Sequence, residues 1–555
     1  MNYCDYKTLD GEMFELFVIS GAGKLRRNIQ RINELNVFPI PDGDTGDNMF
    51  RTISGGIDEM KKEDSGTVGK KARALASGML FAARGNSGVI LSQLFSGMSM
   101  GLDGIDEATV PVLCEAFVSG VKRAYETVVS PVEGTILTVA RESADYALHS
   151  VTENTTLGEL SEMLTERMNK ALENTPELLD VLKEAGVVDS GGAGLFLIAE
   201  GAAEAVNGSM SDDGADDVSG QNKSIDFSLF DSDTRFDYGY CTEFMLRLMN
   251  AKTNVEQFDE KIISDHLGTI GDSVVVLKEG SIVKVHVHTF TPAKAIEFCQ
   301  QFGEFLTVKI ENMMLQHNEQ ERKKRDELPS VRKKRSKYST LIVTEGAGII
   351  EVFRQQGADY ILNGGQGKNP SINDFIEAFD SMNSDNIFVF PNNSNIMLAA
   401  KQAKELYKKS SVFVIPSKNL GQAYAALSML DYSFDTPEEV ERNFLDNMDY
   451  AATGMVCMAI RSVDYKDLSV RTNDYIGFSD KSVLSSDRDK IAALKELCVA
   501  LDIASKEIVT VIFGADASEE DKRRAKSMFS EYFGDKEYYE IDGKQEIYDF
   551  IAILE

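Results

Sequence analysis

Three carboxylates and two glycines lie within six consecutive residues of the chain, in the stretch DGDTGD at positions 42–47. Asp42, Asp44 and Asp47 cannot pair with one another, because like charges held a few ångströms apart repel unless a cation lies among them. Magnesium takes carboxylate, water and phosphate oxygens as ligands, and glycines let a short loop fold around the ion. The stretch is therefore a candidate magnesium site, and a plain acidic turn is the alternative.

Two further loops place glycines where an apolar helical pattern stops and starts again. ARGNSGVILSQ, residues 83–93, and VVDSGGAGL, residues 187–195, each lead into an apolar helix. The first turn of a helix has backbone N–H groups without partners inside the helix, so both loops are candidate binding sites for an anion. The alternative is that their glycines only allow helices to pack closely.

A nucleotide is the ligand that would bring phosphate and magnesium together, yet the sequence has no Walker A motif. GAGKL at 21–25 and GGQGKNPS at 364–371 lack the upstream glycine and the Ser or Thr that should follow the lysine. We therefore expect any magnesium–nucleotide site to consist of a carboxylate turn and helix N-termini.

A second group of metal-binding residue types occurs in the middle of the chain. KVHVHT, residues 284–289, alternates apolar and polar residues as a strand does, so His286 and His288 share one face. Cys241 lies in another probable strand. Two imidazoles and a thiolate are good zinc ligands, and the alternative is a hydrogen-bonded histidine pair with a buried apolar cysteine.

The elements that must position these residues fall into three segments. Apolar residues recur at spacings of three and four through residues 1–206, which predicts an all-α domain, and the three loops above make it a candidate nucleotide-binding helical domain. A Gly-, Ser- and Asp-rich linker at 207–224 separates it from a middle domain at 225–320, which we expect to be α+β and, if the Cys and His residues hold a metal, zinc-binding. After a basic connector at 321–338, residues 339–555 repeat short strands and amphipathic helices, which predicts a parallel sheet covered by helices on both faces. The loops NGGQGKNPS, PNNSN and IPSKNLGQ should then meet at one rim of this α/β domain.

Charge and composition exclude several classes of protein. The formal net charge of −31 over 555 residues argues against a general nucleic-acid binder and against attachment to anionic membranes by charge. The first residues carry acids where a signal peptide has Lys and Arg, and no apolar run is long enough for an integral membrane segment. Six scattered cysteines indicate a reducing compartment, so we expect a cytoplasmic protein with no nucleic-acid partner.

Four motifs, taken in order, identify a family resemblance. NVFPIPDGDTGDNM, ARGNSGVILSQ, EGTILTV and DSGGAGL resemble the ATP-binding helical domain of the dihydroxyacetone kinase L-subunit superfamily. Over essentially the full chain the sequence is similar to the fatty acid kinase A subunit family. The middle domain of that family is matched by YCTEF and VHVHT. The third segment resembles a DegV-like domain, although the family's GGQTMNPS is GGQGKNPS here.

The resemblance implies roles for individual residues. In that superfamily the DGD carboxylates hold two Mg²⁺ ions that bridge the ATP phosphates, which implies Asp42 and Asp44 as the catalytic ligands. Asn36 would replace a further upstream Asp, and Asp47, where the family has threonine, would be an outer charge. The remaining residues implied at the ATP site are Thr45, Gly46, Asn48, Asn86, Ser87 and Gly88 at the phosphates, Thr135 in the nucleotide pocket and Asp189 near the base or ribose. For the middle domain the implied ligands of Zn²⁺ are Cys241, His286 and His288.

The resemblance also implies a function and a partner. It implies a kinase that transfers the ATP γ-phosphoryl group to the carboxylate of a fatty acid, giving an acyl phosphate for phospholipid synthesis. A separate fatty acid-binding DegV-like protein would present the acid, and we also allow for a homodimer. The alternatives are a dihydroxyacetone-type small-molecule kinase and a non-enzymatic, zinc-bearing regulator that senses lipid.

Overall fold

A computed structural model of the protein describes residues 2–36, 43–128, 130–209, 240–255, 257–312, 335–365, 367–459, 462–465, 468–479 and 482–555. The chain divides into two compact units, one formed by residues 1–220 with 334–555 and the other by residues 221–333. Both predicted linkers, at 207–224 and 321–338, lie largely outside the described residues. No helix within the described ranges is long and apolar enough to cross a bilayer.

The first unit begins with a helical part, as the spacing of apolar residues predicts. In α3, for example, Met49, Ile53, Ile57 and Met60 recur every three or four residues, and all four are fully buried. Among the described residues of this part, the one exception to the all-α prediction is a two-residue antiparallel pair, β1 (Thr8–Leu9) with β2 (Ala108–Thr109). The helices are α1 (Gly11–Arg27), α2 (Ile29–Glu34), α3 (Thr45–Met60), α4 (Val68–Ala82), α5 (Gly85–Gly101), α6 (Val110–Thr127), α7 (Ile136–Ser150), α8 (Leu157–Glu173), α9 (Thr175–Leu178), α10 (Asp180–Ala185) and α11 (Ser190–Val206).

The described residues of the second unit form an antiparallel sheet with two helices, in agreement with the α+β prediction. Its strands are ordered β4-β5-β3-β6, and every neighbouring pair is antiparallel. Buried residues Phe244, Leu246, Val283 and Val285 form part of its core, together with side chains of α12 and α13. Its elements are β3 (Tyr240–Leu248), α12 (Lys261–Leu267), β4 (Gly271–Glu279), β5 (Ile282–Thr289), α13 (Pro292–Gln300) and β6 (Gly303–Asn312).

The C-terminal part of the first unit starts with the predicted parallel sheet. Its strands are ordered β10-β9-β7-β8 and all pairs are parallel. Alternating residues of β7 enter different cores, Ile342 on one face and Leu341 on the other, so helices cover both faces. The elements are β7 (Ser336–Thr344), α14 (Ala347–Gln355), β8 (Tyr360–Asn363), α15 (Ile372–Met382), β9 (Ser384–Phe390), α16 (Ser394–Leu406), β10 (Ser411–Val414), α17 (Leu420–Ser428) and α18 (Pro437–Met448).

The prediction of one continuous parallel sheet is wrong for the end of the chain. A separate sheet, ordered β15-β14-β11-β18-β16-β17, has only the β16–β17 pair parallel within the described residues. The parallel pair β16–β17 is joined by a crossover through α20, whereas β14 and β15 are joined by a short connection and pair in the antiparallel direction. The elements are β11 (Ala452–Met458), β12 (Val463–Tyr465), β13 (Leu468–Val470), β14 (Tyr475–Ser479), β15 (Ser482–Asp487), α19 (Lys490–Ala500), β16 (Ile508–Phe513), α20 (Glu519–Tyr532), β17 (Glu537–Asp542) and β18 (Phe550–Leu554).

The helical and C-terminal parts of the first unit share a hydrophobic core. Ala83 and Val89, on either side of the start of α5, are fully buried in the cluster that contains Leu341, Ile372 and Phe375. The backbone N–H of Ile372 also donates to the carbonyl of Ala83 at 3.2 Å. The start of α5 is therefore held between the two parts.

Candidate functional site

The turn that leads into α3 is held by a residue which the sequence analysis did not single out. Asn33, at the end of α2, accepts a hydrogen bond from the backbone N–H of Gly46 at 2.7 Å. Its amide donates to the Asp47 carboxylate at 2.8 Å. Asn33 thus satisfies a free N–H group in the first turn of α3 and engages Asp47, so that Asp47 is tied to α2.

Asp44 directly precedes the first residue of α3, and it is almost completely buried, with 6% of its surface exposed. Its carboxylate makes no capping bond to the described backbone of the helix. Burial raises its pKa from 3.8 to about 6, hydrogen bonds from Asn48 and Asn369 oppose the rise, and the nearby charge of Asp47 adds to it. A carboxylate in such surroundings is stabilised by a cation, so the Asp44 environment fits a magnesium ligand.

The start of α5 depends on a glycine in a left-handed conformation. Gly85 has φ of 57°, and a Cβ atom there would lie 2.7 Å from the amide nitrogen of Asn48. Only glycine therefore fits between α5 and Asn48 without strain. Gly88 has a packing role, since a Cβ would lie 2.4 Å from the hydroxyl of Thr52, and its N–H donates to the Arg84 carbonyl.

Asp189 joins the starts of α7 and α11. Its carboxylate accepts from the backbone N–H of Gly192 at 2.6 Å, as expected for the residue that begins a helix, and also from the N–H of Ile136. Burial raises the pKa of this carboxyl to about 6, while the two backbone bonds oppose the rise. At the start of α7, Thr135 accepts from the N–H of Leu137 at 3.4 Å.

These helix starts surround one cavity of about 350 Å³. The N-termini of α3, α5, α7 and α11 all contribute, and residues of α16 from the C-terminal part complete the wall. The positive ends of several helices favour an anion between them, and the volume suits a small-molecule ligand. The lining residues are Asn36, Asp44, Thr45, Asn48, Asn86, Ser87, Ile90, Val128, Ser130, Val132, Thr135, Ile136, Leu137, Asp189, Ser190, Gly191, Asn395 and Leu398.

Most of the site residues predicted for ATP come together at this cavity. Gly46 and Gly88 do not line it, and both their N–H groups have protein partners. Asp42 lies outside the described residues. The predicted residues that line the cavity are Asn36, Asp44, Thr45, Asn48, Asn86, Ser87, Thr135 and Asp189.

Two asparagines of the C-terminal part reach this site, and the sequence analysis missed both. The amide of Asn369 donates to Oδ2 of Asp44 at 2.5 Å, and the oxygen of Asn395 accepts from the amide of Asn86 at 3.1 Å. They belong to the loops NGGQGKNPS and PNNSN, whose expected place on one rim was the signal that could have found them. Because that rim faces the helical part, the loops contact the starts of α3 and α5.

In the second unit, the strand register bears on the predicted zinc ligands. Cys241 in β3 is paired directly with His288 in β5, and Glu243 is paired with His286. The backbone therefore brings Cys241 and the two histidines to neighbouring positions of one sheet, while their side chains lie outside the described set. Among side chains that the structure describes, no group of three or more His, Cys, Asp or Glu could hold a metal.

Sequence models of three protein-family domains match the chain. The DAK2 domain matches residues 39–204, and the middle and C-terminal domains of FakA-like proteins, the fatty acid kinase A type, match residues 237–320 and 339–555. The DAK2 match identifies a dihydroxyacetone kinase-like domain, which implies ATP and Mg²⁺ as cofactors. The order of the three matches agrees with the resemblance found in the sequence.

Two solved structures resemble parts of the chain only weakly. Dihydroxyacetone kinase from C. freundii, in complex with AMP-PNP and Mg²⁺, is 16% identical with a TM-score of 0.28, covering 36% of this chain and 35% of that one. DegV, a fatty acid binding protein from Bacillus subtilis, is 11% identical with a TM-score of 0.29, covering 40% of this chain and 99% of that one. Scores this low carry no argument about fold or function.

Full-length relatives decide the family. Protein YloV of Bacillus subtilis is 37% identical over 560 residues, which is 99% of this chain and 100% of the relative. An uncharacterised protein of Staphylococcus epidermidis is 36% identical over 553 residues, or 99% of both chains. Together with the three domain matches, this similarity shows that the chain belongs to the FakA-like family of fatty acid kinase proteins, with a DAK2 domain of the dihydroxyacetone kinase L-subunit type.

Proposed function

We propose that the protein is the ATP-dependent component of a fatty acid kinase. It transfers the γ-phosphoryl group of ATP to the carboxylate of a fatty acid presented by a separate DegV-like fatty acid-binding protein, giving an acyl phosphate for phospholipid synthesis. The observation that carries the proposal is the cavity of about 350 Å³ at which four helix N-termini meet the buried Asp44 carboxylate.

The residues of the cavity are suited to hold a magnesium–polyphosphate group. Asn86, Ser87 and Thr45 lie in the first turns of α5 and α3, where backbone N–H groups and the helix dipole favour phosphate oxygens. Asp44 would ligate Mg²⁺, with Asn36 at the same cavity and Asp42 two residues before it in sequence. Bound magnesium reduces the repulsion between the phosphates and an incoming anion.

The titratable side chains at the cavity favour a carboxylate as the acceptor. Among its described lining residues, only Asp44 and Asp189 ionise, and each already accepts hydrogen bonds from protein groups. A hydroxyl acceptor would need a base to remove its proton, whereas a carboxylic acid with pKa near ~4 is already ionised at neutral pH. The acceptor therefore needs positioning and charge neutralisation, which this set of residues supplies.

The same proposal includes a zinc ion in the middle domain and the three-domain division at 1–206, 225–320 and 339–555. Support for zinc comes from the strand register, which pairs Cys241 with His288 and leaves His286 two residues away on β5. Residues that alternate along a strand belong to one face, so the three positions are neighbours on that face. Thiolate and imidazole are the ligands of structural zinc sites.

The test measures ADP release by the purified full-length chain with Mg²⁺–ATP and a fatty acid, with and without a fatty acid-binding DegV-like protein. Asp44→Ala should reduce turnover at least 100-fold by removing a metal ligand, in line with the roughly 10²–10³-fold effects of lost transition-state stabilisers. Asp58→Ala is the matched control, because Asp58 lies on the exposed face of the same helix. It should keep the wild-type rate.

Each other outcome identifies a different function. Turnover with dihydroxyacetone and without a lipid-binding protein would replace the proposal with a small-molecule kinase. Binding of Mg²⁺–ATP with no turnover under any combination would point to a regulator. Near-normal turnover in Asp44→Ala would remove Asp44 from the catalytic site.

A further inference from the structure

The loop between β8 and α15 is built to hold one asparagine in place. Gly365 and Lys368 bond to each other through their backbones in both directions, at 3.1 and 3.3 Å, and Gly367 takes the positive φ of 76° that this tight turn needs. Three residues after Lys368, Ser371 begins α15 and forms a reciprocal capping box with Asp374. Asn369 thus lies between a closed turn and a capped helix.

Asn369 is buried against the helical part of the same unit, with 3% of its surface exposed. Its amide nitrogen lies 2.5 Å from Oδ2 of Asp44, although 325 residues separate the two in sequence. Its backbone carbonyl accepts from the guanidinium of Arg84 at 2.9 Å, and Arg84 also pairs with Asp374 at 3.3 Å. The loop is therefore anchored at both its main chain and its side chain.

We propose that Asn369 is a positioning residue of the magnesium–nucleotide site, so that the C-terminal part completes a site otherwise built from the helical part. This inference rests on the proposed function. An amide NH₂ group only donates, so it holds Oδ2 of Asp44 and, together with the bond from Asn48, fixes the rotation of the carboxylate that would face the cation. Residues that orient a metal ligand in this way commonly affect metal affinity nearly as much as the ligand itself.

A second atom of Asn369 supports the same role. Its carbonyl oxygen, Oδ1, is buried and has no hydrogen-bond partner among the described residues. A buried acceptor without a partner is unfavourable, and a water molecule bound to the metal would satisfy it.

A parallel contact shows that the Asn369–Asp44 bond is not isolated. At the start of α16, Asn395 accepts from the amide of Asn86, and Asn86 Oδ1 is another buried oxygen without a partner among the described residues. Both contacts thus connect the C-terminal part to the start of a helix at the cavity. Ala83 and Val89 are buried in the core of the parallel sheet, which holds the two parts together beside these contacts.

The test titrates Mg²⁺ into the full-length chain at fixed ADP and follows nucleotide binding by calorimetry. Asn369→Ala should raise the Mg²⁺ concentration at half-maximal binding by about 10–100-fold, the range found when groups that orient a metal ligand are removed. The matched control is Asn373→Ala, on the exposed side of α15, where the amide bonds only to Glu377 among the contacts described. The control should shift the half-maximal concentration by less than about twofold.

An exchange of the Asp44 and Asn369 side chains separates a role in positioning the metal ligand from a role in holding the two parts of the unit together. Asp44→Asn with Asn369→Asp reverses the direction of the hydrogen bond but moves the carboxylate to the C-terminal loop. We expect the double variant to recover the melting temperature lost in Asn369→Ala while its Mg²⁺ dependence stays impaired. A lower melting temperature in Asn369→Ala together with an unchanged Mg²⁺ dependence would overturn the inference.

The same titration tells this inference apart from the proposed function. A wild-type chain that binds no ADP at any Mg²⁺ concentration would refute both. Wild-type turnover of a fatty acid with unaltered Mg²⁺ dependence in Asn369→Ala would refute the role of Asn369 alone. A clear shift in Asn369→Ala without any fatty acid turnover would uphold Asn369 and refute the proposed acceptor.

Discussion

The two candidate metal sites of this chain are assembled in opposite ways. At the cavity, the Asp44 carboxylate bonds to Asn48 of α3 and to Asn369, which is 325 residues away in sequence, while Asn33 of α2 holds the adjoining turn through Gly46. In the second unit, the register of two neighbouring strands alone places Cys241 opposite His288. A strand ladder brings residues together through its own hydrogen bonds, whereas a site at helix starts depends on how separate elements pack.

The strand site should show the largest response to removal of one residue. Cys241→Ala should reduce the zinc content of the purified chain from about one ion per chain to background, because a thiolate is a strong ligand and the unit has few alternatives. Metal content is measured by mass spectrometry on the native protein. Cys299→Ala is the control, since this buried thiol, with its pKa raised by burial to about 12, lies on α13 and packs in the core with Val283 and Val285, which alternate with the two histidines along β5.

The comparison between the two metal sites fails if Cys241→Ala retains its zinc. In that case the register of β3 and β5 would bring together residues that hold no metal, and His286 and His288 would be a hydrogen-bonded pair. Mg²⁺-dependent binding of ADP should be the same in Cys241→Ala as in the wild type, because the two sites lie in separate compact units. A loss of both properties together would show that the units are coupled.

Neutralising Asp44 should have the next largest effect. It should weaken the binding of ADP with Mg²⁺ but stabilise the metal-free chain against unfolding. Asp44→Asn keeps the shape of the side chain but should weaken Mg²⁺-dependent ADP binding by about 100-fold, since an amide oxygen is a poor substitute for a carboxylate. Burial raises the pKa of Asp44 from 3.8 to about 6, so its contribution to folding is favourable at low pH and is lost as the pH rises through 6.

The free energy of unfolding of the metal-free chain tests whether the ionised Asp44 side chain destabilises the fold. At pH 8 we expect Asp44→Asn to be more stable than the wild type by about 1–3 kcal/mol, because it no longer buries a charge. Near pH 5 the difference should shrink, since most Asp44 side chains are then protonated. Urea unfolding at both pH values, without Mg²⁺, provides the measurement. A variant that is less stable at pH 8 would show that the carboxylate is well solvated or paired.

Sequence reasoning located the residues whose roles are local to a helix start. Asp44, Asn86, Thr135 and Asp189 each stand at or beside the first residue of a helix, where residue type and glycine spacing predict both the start and its free N–H groups. Asn369 was not predictable in the same way. A turn such as NPS has the same sequence chemistry whether it faces solvent or another domain, and only tertiary packing decides which.

The fold was predictable to a similar extent. Alternating strands and helices were sufficient for β7 to β10, because each crossover helix makes its two strands parallel. They were not sufficient for the six-stranded sheet, in which β11 lies between β14 and β18. The partner of β11 on one side is almost a hundred residues away in sequence, and no local pattern encodes such a pairing.

A moderate effect is expected from replacing Gly85, the left-handed glycine that lies against Asn48 at the cavity. Gly85→Ala must keep φ at 57° and place a Cβ 2.7 Å from Asn48, so we expect a loss of about 2–4 kcal/mol and weaker ADP binding. Gly104→Ala is the matched control, because Gly104 has φ of 74° but no atom within 4 Å of an added Cβ. The control should lose about 1 kcal/mol and bind ADP normally, so equal losses would contradict the contact with Asn48.

The smallest effect should come from the second buried carboxylate of the cavity, and it separates capping from metal binding. Asp189 accepts hydrogen bonds from Gly192 and Ile136, and an asparagine can keep the capping bond. We therefore expect Asp189→Ala to lose about 1–2 kcal/mol and Asp189→Asn less than about 1 kcal/mol, measured by urea unfolding at pH 7. With ADP at a concentration that saturates each variant, neither should change the Mg²⁺ concentration for half-maximal binding, because this carboxylate binds backbone N–H groups. A shift in Asp189→Asn as large as in Asp44→Asn would mean that both carboxylates hold the metal.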